Sequence, residues 1–237
     1  MFANYHTHTA RCHHATGEDK AYVEAAIQNG FQVLGFSDHC PWIFSDGYVS
    51  PIRMTPDELD GYVTSLTALK KEYAADITIY IGLESEYVPE MLPEQQKFLQ
   101  DYPIDYQILG EHFLYPEQRG IYTGRPTDNT AELKHYVDQV IAGMETGNYL
   151  YLAHPDLFHF IGDPACYEQE FRRLCVYLKE KQIPIEINQL GFADHRQYPN
   201  PAFLKIAESV GNTAIIGCDA HHPSALLDTC LLYTSPS

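Results

Sequence analysis

The sequence predicts an α/β fold in which seven strands close a barrel carrying a metal site at its C-terminal rim, and three observations support this. Strand-like and helix-like segments alternate almost throughout, as a parallel α/β sheet requires. Seven short apolar runs have strand character. Six of the seven lead into His, Asp or Glu and the remaining one into Asn188. Ligand side chains that arrive in phase from separate strands are explained by a shared rim, whereas scattered surface histidines would show no phase.

The elements follow in order. Residues 2–5 form the first strand, leading into His6 and His8. A first helix is expected from Thr16, with Asp19 as a weak relative of a capping box, and stops at Gly30. The second strand, 33–36, ends in Asp38 and His39. Thr55-Pro56-Asp57-Glu58 is a full capping box with proline at the first helical position, and Leu59, Tyr62, Val63, Leu66 and Leu69 make one apolar stripe behind it. Residues 77–83 run into Glu84, 93–102 form a short helix, and 106–109 lead to Glu111 and His112. Residues 113–129, rich in Tyr, Gly and Pro, read as a long rim loop. A helix over 130–147 is followed by a strand over 149–153 that leads to His154 and Asp156. Helices over 164–181 and 199–210 flank the strand 184–187, which ends in Asn188. The strand 214–218 delivers Asp219 and His221.

At 237 residues the chain has the size of one α/β barrel, and a hydrophobic content of 45% is ample for its core. No stretch approaches the roughly 18 apolar residues of a membrane span. The opening residues leave no room for a signal peptide, and the six cysteines show no paired spacing, so a cytoplasmic protein with reduced thiols is expected. The net charge of −17 argues against nucleic acid as the main partner, because a phosphate backbone needs clustered Lys and Arg. Only sixteen residues follow His221, too few and too poorly patterned for a closing helix. The domain is therefore expected to span 1–228, with 229–237 a truncated or non-native tail.

His6-Thr7-His8 is the strongest local signal, because positions i and i+2 of a strand share a face and can grip one ion. Of the adjacent His13 and His14, at most one can point to the same place. Glu84 and Glu86 share a face by the same alternation, and a carboxylate can bridge two ions where a neutral imidazole cannot. Any one of these histidines alone would read as an ordinary hydrogen-bonded rim residue. The number of endings in register favours a metal site.

These motifs resemble the PHP (polymerase and histidinol phosphatase) superfamily from residue 2 to about 222. The matching elements are His6-x-His8, Thr9-x-x-Cys12-x-His14, Asp38-His39, Gly82-Leu83-Glu84, Glu111-His112, His154-Pro155-Asp156-Leu157 and Asp219-Ala220-His221. Glu84-x-Glu86-Tyr87, Glu186-Ile187-Asn188-x-x-Gly191 and Arg196-x-Tyr198-Pro199 resemble its stand-alone histidinol-phosphatase branch. The resemblance implies a distorted seven-stranded TIM-like (β/α)7 barrel holding two or three divalent transition-metal ions, with zinc, manganese and iron all compatible. It implies His6, His8, Glu84 and Asp219 around one ion, with Glu84 shared by a second that His112 and His154 also bind. His14, His39 and His221 would hold a third.

The implied substrate is a small phosphate monoester, L-histidinol phosphate above others. Ions would neutralise its phosphate and activate a water for in-line displacement, with Glu84 and Asp219 holding them and Arg196 gripping the phosphate. Asn188 is expected to hydrogen-bond the substrate or a ligand, and Glu86 or Asp156 to accept its ammonium. Trp42, Phe158 or Tyr122 would face its imidazole, and Arg125 is a weaker phosphate candidate. The leaving oxygen could take its proton from a water, His195 or His222. Ala193 stands where many relatives carry arginine. The competing readings are a phosphoesterase for a nucleoside bisphosphate, a sugar phosphate or phosphotyrosine, and a polymerase-associated module, which the acidic charge opposes. Oligomeric state is left open by the sequence.

Overall fold

The computed structural model describes residues 2–227, and the tail expected to be non-native lies outside them. Two compact units emerge. The first comprises Met1–Glu84, Pro89–Gln107 and the described residues from Gly217; the second comprises Ser85–Val88 and Ile108–Ile216.

In the first unit, strands β1 (Ala3–Asn4), β2 (Val33–His39) and β3 (Thr78–Ser85) lie side by side in that order, and β4 (Tyr106–Leu109), next in the sheet, begins in this unit at Tyr106–Gln107. The β1–β2 and β2–β3 pairs are parallel, and β2 pairs with β3 from Val33 opposite Thr78 to His39 opposite Glu84. That register matters for the site, because it brings two candidate ligands level at the ends of neighbouring strands. Strands β2 and β3 are buried along most of their length, as parallel strands covered on both faces are. Gly35 and Gly82 lack side chains where Tyr106 crosses them, and a Cβ at either would collide with its ring. The Tyr106 hydroxyl donates to the carbonyls of Tyr5 and Phe36 at 2.7 and 3.0 Å.

Helices α1 (Asp19–Gln28) and α2 (Leu59–Glu72) cover this sheet with Tyr22, Val23, Leu59, Tyr62 and Leu66. The expected capping box at Thr55 forms, with Glu58 Oε2 accepting from Thr55 N at 2.7 Å. Helix α1 begins three residues later than expected. Gly17 adopts a φ of +102°, which ends any helix there, and Asp19 serves as a buried anchor for Arg11 at 2.9 Å and Ser65 at 2.6 Å.

The second unit packs α4 (Thr130–Glu145), α5 (Pro164–Glu180) and α7 (Pro201–Val210) around Leu133, Val140, Phe171, Leu174 and Phe203. Asn129, Asp163 and Asn200 cap the three helices through side-chain oxygens at 2.8–3.0 Å from backbone amides. Strand β5 (Ile185–Asn188) pairs with β6 (Ala214–Gly217). Two further helices are short: α3 (Leu92–Leu99), in the first unit, and α6 (Gln189–Ala193), which directly follows β5 and was not anticipated.

The expected strand over 149–153 is not a full strand. Only Leu152 pairs, as a single-residue parallel bridge to Leu109 on one side and Ile185 on the other. The chain turns away at once, because His154 takes a φ of +26°, outside the extended region. Six strands are thus present among the described residues where seven were expected. The rim loop 113–129 carries a 3₁₀ turn, Glu117–Arg119, and is pinned by bridges from Phe113 to Tyr122 and from Thr127 to Phe160.

Candidate metal centre

In the first unit the chain after β1 is shaped by a buried asparagine. Asn4 donates to Thr7 Oγ1 at 2.7 Å and accepts from Cys218 N at 2.8 Å, tying the exit of β1 to the exit of β6. His6 and His8 then point the same way, with their Nε2 atoms 3.2 Å apart. Asp219, at a φ of +51° just past β6, sets Oδ1 3.3 Å from His6 Nε2 and 3.1 Å from His8 Nε2. Glu84 reaches the same point from β3, with Oε1 3.5 Å from His6 Nε2 and Oε2 3.5 Å from His8 Nε2. Its Oε2 also lies 3.2 Å from His39 Nδ1, the consequence of the β2–β3 register.

A second cluster adjoins the first. His13 takes a φ of +67°, which turns the chain so that His14 faces His221, with their Nε2 atoms 3.0 Å apart. The His13 side chain points elsewhere, 3.8 Å from Glu58, so the choice of His14 between the adjacent pair agrees with the placement. The ligand atoms of His14, His39 and His221 fall within 4.8 Å of one another.

The outer ring nitrogens are held from behind. His14 Nδ1 meets the Cys12 carbonyl at 2.7 Å, His221 Nδ1 the Asp219 carbonyl at 3.0 Å, and His8 Nδ1 the Asp38 carboxylate at 3.3 Å. Such contacts fix ring orientation and leave Nε2 for a ligand. Asp38 is itself held by the amides of Thr9 and His39 at 3.2 and 2.8 Å and by the Thr9 hydroxyl. The sequence reads Asp38 only as a strand-end ligand candidate, and in the structure it faces the outer nitrogen of His8.

Donor spacing tests whether an ion would fit. A tetrahedral ion with bonds of about 2.0–2.1 Å separates neighbouring donors by about 3.3–3.4 Å. The donors of His6, His8 and Asp219 stand 3.1–3.3 Å apart, close to the edges of one face of such a tetrahedron, and Glu84 lies beside that face, 3.5 Å from His6 through Oε1 and 3.5 Å from His8 through Oε2. Without an ion, protons and charge must reconcile these groups. Burial disfavours charge on His8, but the hydrogen bonds its ring donates to the Asp219 and Asp38 carboxylates override it and hold its pKa well above the usual range. Burial would likewise raise Asp219, yet the facing His6 and His8 hold it well below the usual carboxylate range. Burial, and then the charge of His8, push His221 down to about 3.

The second unit presents His112 and His154 with ring centroids 5.0 Å apart. His112 Nδ1 meets Glu86 Oε1 at 3.0 Å, and the His154 amide donates to Glu186 Oε2 at 3.0 Å. Asn188 donates to that same oxygen at 2.9 Å, while its Oδ1 accepts from Gly191 N at 2.9 Å and so caps α6. Glu86 therefore pairs with the His112 ring and Asn188 with Glu186 in this structure. Glu111 accepts from Tyr87 N at 3.1 Å and Gln139 Nε2 at 2.8 Å, and burial raises its pKa well above the usual range. Glu186 and Glu111 had no assigned role. Their partners are backbone amides and side chains distant in sequence, which no spacing reveals.

Arg196 is exposed, paired with Asp194 at 2.8 Å and 3.3 Å from the Tyr198 hydroxyl. The Tyr198 ring in turn lies 5.9 Å from that of His154. Arg125 pairs with Glu132 at 3.1 Å on the exposed loop. Phe158 packs in the core 5.0 Å from Tyr136, which leaves it no surface for an imidazole, whereas Tyr122 is exposed and Trp42 buried. Asp156 accepts from the Asn200 amide, and burial pushes it up to about 6. His222 caps the last described turn, accepting from Ala225 N at 3.1 Å.

Comparison with known proteins agrees with this geometry. The PHP domain profile matches residues 4–190. A probable histidinol-phosphatase of Deinococcus radiodurans is 28% identical over 230 residues, covering 92% of this chain and 85% of that one. A histidinol-phosphatase of Bacillus subtilis is 34% identical over 115 residues, covering 46% of this chain and 43% of its own length. A histidinol phosphate phosphatase of Lactococcus lactis, solved with zinc, L-histidinol and phosphate, superposes with a TM-score of 0.71 at 19% identity, over 95% of this chain and 90% of that one. A provisionally assigned histidinol phosphatase of Listeria monocytogenes gives 0.77 at 21% identity, over 98% and 99%. With four-fifths of its length matched and its histidines and carboxylates gathered as described, the chain belongs to the PHP domain family.

Proposed function

We propose that the chain is a metal-dependent phosphomonoesterase that converts L-histidinol phosphate and water to L-histidinol and phosphate. The single observation that carries the metal dependence is the 3.1–3.3 Å spacing of the His6, His8 and Asp219 donors, with the Glu84 carboxylate beside them. The choice of substrate is supported by the Deinococcus relative, which matches across most of both chains, and by the ligands of the Lactococcus structure.

Two or three divalent ions, when bound, would supply the positive charge that a phosphate dianion seeks and a nucleophilic water. His6, His8, Glu84 and Asp219 would hold one, and His14, His39 and His221 another. His112 and His154 are ligands in this reading, oriented by Glu86 and Glu186. Asp38 fixes the His8 ring so that Nε2 faces inward. Arg196 would leave Asp194 to grip the phosphate, since a guanidinium matches two phosphate oxygens better than one carboxylate oxygen. Asn188 acts through Glu186. In the reaction a water oxygen bonds to phosphorus as the phosphorus–alkoxide bond breaks, and the alkoxide takes a proton.

The seven-stranded barrel belongs to the same proposal. Its support is Leu152, which bridges Leu109 and Ile185 as a shortened strand would, and the bridge from Thr7 to Ala220. A cytoplasmic location is also proposed, because the cysteines show no paired spacing of a disulfide framework. Among the described residues no helix is long and apolar enough to cross a membrane. The acidic charge favours a small-molecule substrate over nucleic acid.

Phosphate release from a panel of monoesters at equal concentration tests the reading. Histidinol phosphate is expected to give a kcat/KM well above p-nitrophenyl phosphate and nucleotides, because unpaired buried groups penalise wrong substrates. Faster turnover of a nucleoside bisphosphate or a phosphotyrosine peptide would overturn the substrate and leave the phosphoesterase.

A further inference from the structure

The cluster contains one donor that the reading above leaves unused. Cys12 ends the 3₁₀ turn Ala10–Cys12 and is fully buried. Its Sγ and the ring nitrogens of His8 and His221 lie within 4.8 Å of one another. A tetrahedral zinc with one sulfur and two nitrogens would set S···N at about 3.6 Å and N···N at about 3.4 Å, both inside that bound. Asp38 occupies His8 Nδ1 and the Asp219 carbonyl occupies His221 Nδ1, so Nε2 is the metal-facing atom of both rings.

We propose that Cys12, His8 and His221 form a thiolate-bearing metal locus that competes with the His6, Glu84 and Asp219 locus for His8 and with the His14 and His39 locus for His221. One imidazole nitrogen binds one ion, so occupancy of either locus removes His8 from the other. The two differ in chemistry. The first offers one thiolate and two imidazoles, a soft set suited to zinc or cadmium; the second offers two carboxylates, which suit manganese or iron. Binding at the thiolate locus forms a sulfur–metal bond as the thiol gives its proton to solvent, with no change in oxidation state. His14 and His221, the more exposed members of the cluster, give an ion its way in. Soft ions in excess thereby become inhibitors, by taking His8 away from the ion that the carboxylates hold.

This inference rests on the metal-site reading of the proposed function, and the experiment separates the two. The metal-free full chain is titrated with cadmium while ultraviolet absorption is followed. The expected result is a sulfur-to-cadmium charge-transfer band that saturates at one thiolate per chain. Cys12→Ser should abolish the band and weaken the tightest cadmium binding at least about tenfold, the lower bound for disturbing a ligand set, while manganese affinity stays the same. His221→Ala should weaken the band. Cadmium should inhibit the manganese-loaded chain, and Cys12→Ser should relieve that inhibition. Should the variants fail to fold, cadmium NMR on the unaltered chain reads the same point, with a resonance in the thiolate range expected. Cadmium bound only with nitrogen- and oxygen-range signals, or a band that persists in folded Cys12→Ser, overturns the thiolate locus alone. A chain that binds no divalent ion overturns the metal-site reading with it.

Discussion

Glu84 and Glu86 stand two residues apart at the end of β3, yet the two units put them to different uses. In the first unit both Glu84 oxygens face imidazole nitrogens, those of His6, His8 and His39, at 3.2–3.5 Å. In the second unit Glu86 meets the outer nitrogen of a single ring, His112, at 3.0 Å. Among buried carboxylates beside histidines, then, position in the sequence does not separate ligand from brace. What separates them is which nitrogen they face: under the proposed function an inward-pointing one would share an ion with the carboxylate, and an outward-pointing one would have its ring oriented by it.

The largest effect should come from breaking the first of these roles. Glu84→Ala is expected to disassemble the cluster, with metal content and kcat falling together. Glu86→Ala should lose about 10–100-fold in metal affinity or activity, as removal of an orienting partner does, and at least tenfold less than Glu84→Ala. Elemental analysis beside steady-state kinetics decides. Equal losses with metal content intact in both variants would erase the distinction.

Asp38→Asn comes next, as a probe of the same principle within the first unit. It keeps the shape but removes the charge behind His8, so a loss of about tenfold in metal affinity is expected, with the fold retained. A variant that binds metal as tightly as the native chain would show that Asp38 serves only the Thr9 turn.

Proton competition should sharpen the comparison further. In the metal-free chain His8 carries a proton well above the usual pH range, and an ion must displace it. Apparent affinity should therefore rise with pH, about tenfold per unit for each proton released, and level off once pH passes the His8 pKa. The same raised pKa stabilises the metal-free fold below about pH 6.5, the unfolded value, and that contribution is lost as pH rises through the folded value. Metal titrations at stepped pH, with affinity independent of pH, would contradict it.

The smallest effect lies far from the chemistry. Thr55→Ala removes one half of the capping box on α2 and should lower stability by about 0.5–2 kcal/mol, with kcat unchanged in the folded fraction. Denaturant melts read the first quantity and kinetics the second.

Much of this was legible in the sequence, for identifiable reasons. The His6-x-His8 pair is brought to one point although β1 stops at Asn4 and both histidines lie past it, whereas Glu84 was legible because β3 is a clean apolar run with a carboxylate near its end. The α2 start was legible because a capping box is a local, four-residue device. The misses share the opposite property. The strand over 149–153 shrinks to one bridge because His154 turns the backbone, a conformation that an ordinary His-Pro dipeptide does not announce. The start of α1 moved because Asp19 is spent on Arg11 and on Ser65, a residue from another helix. Asp38, Glu186 and the capping role of Asn188 depend on hydrogen bonds that exist only after folding.

Elemental analysis of the purified chain, paired with phosphatase assays before and after chelation, tests the central claim most directly. Two or three divalent transition-metal ions per chain are expected, with activity abolished by chelation and restored by adding metal back. Fewer than one ion per chain in a folded, active sample would contradict the metal centre.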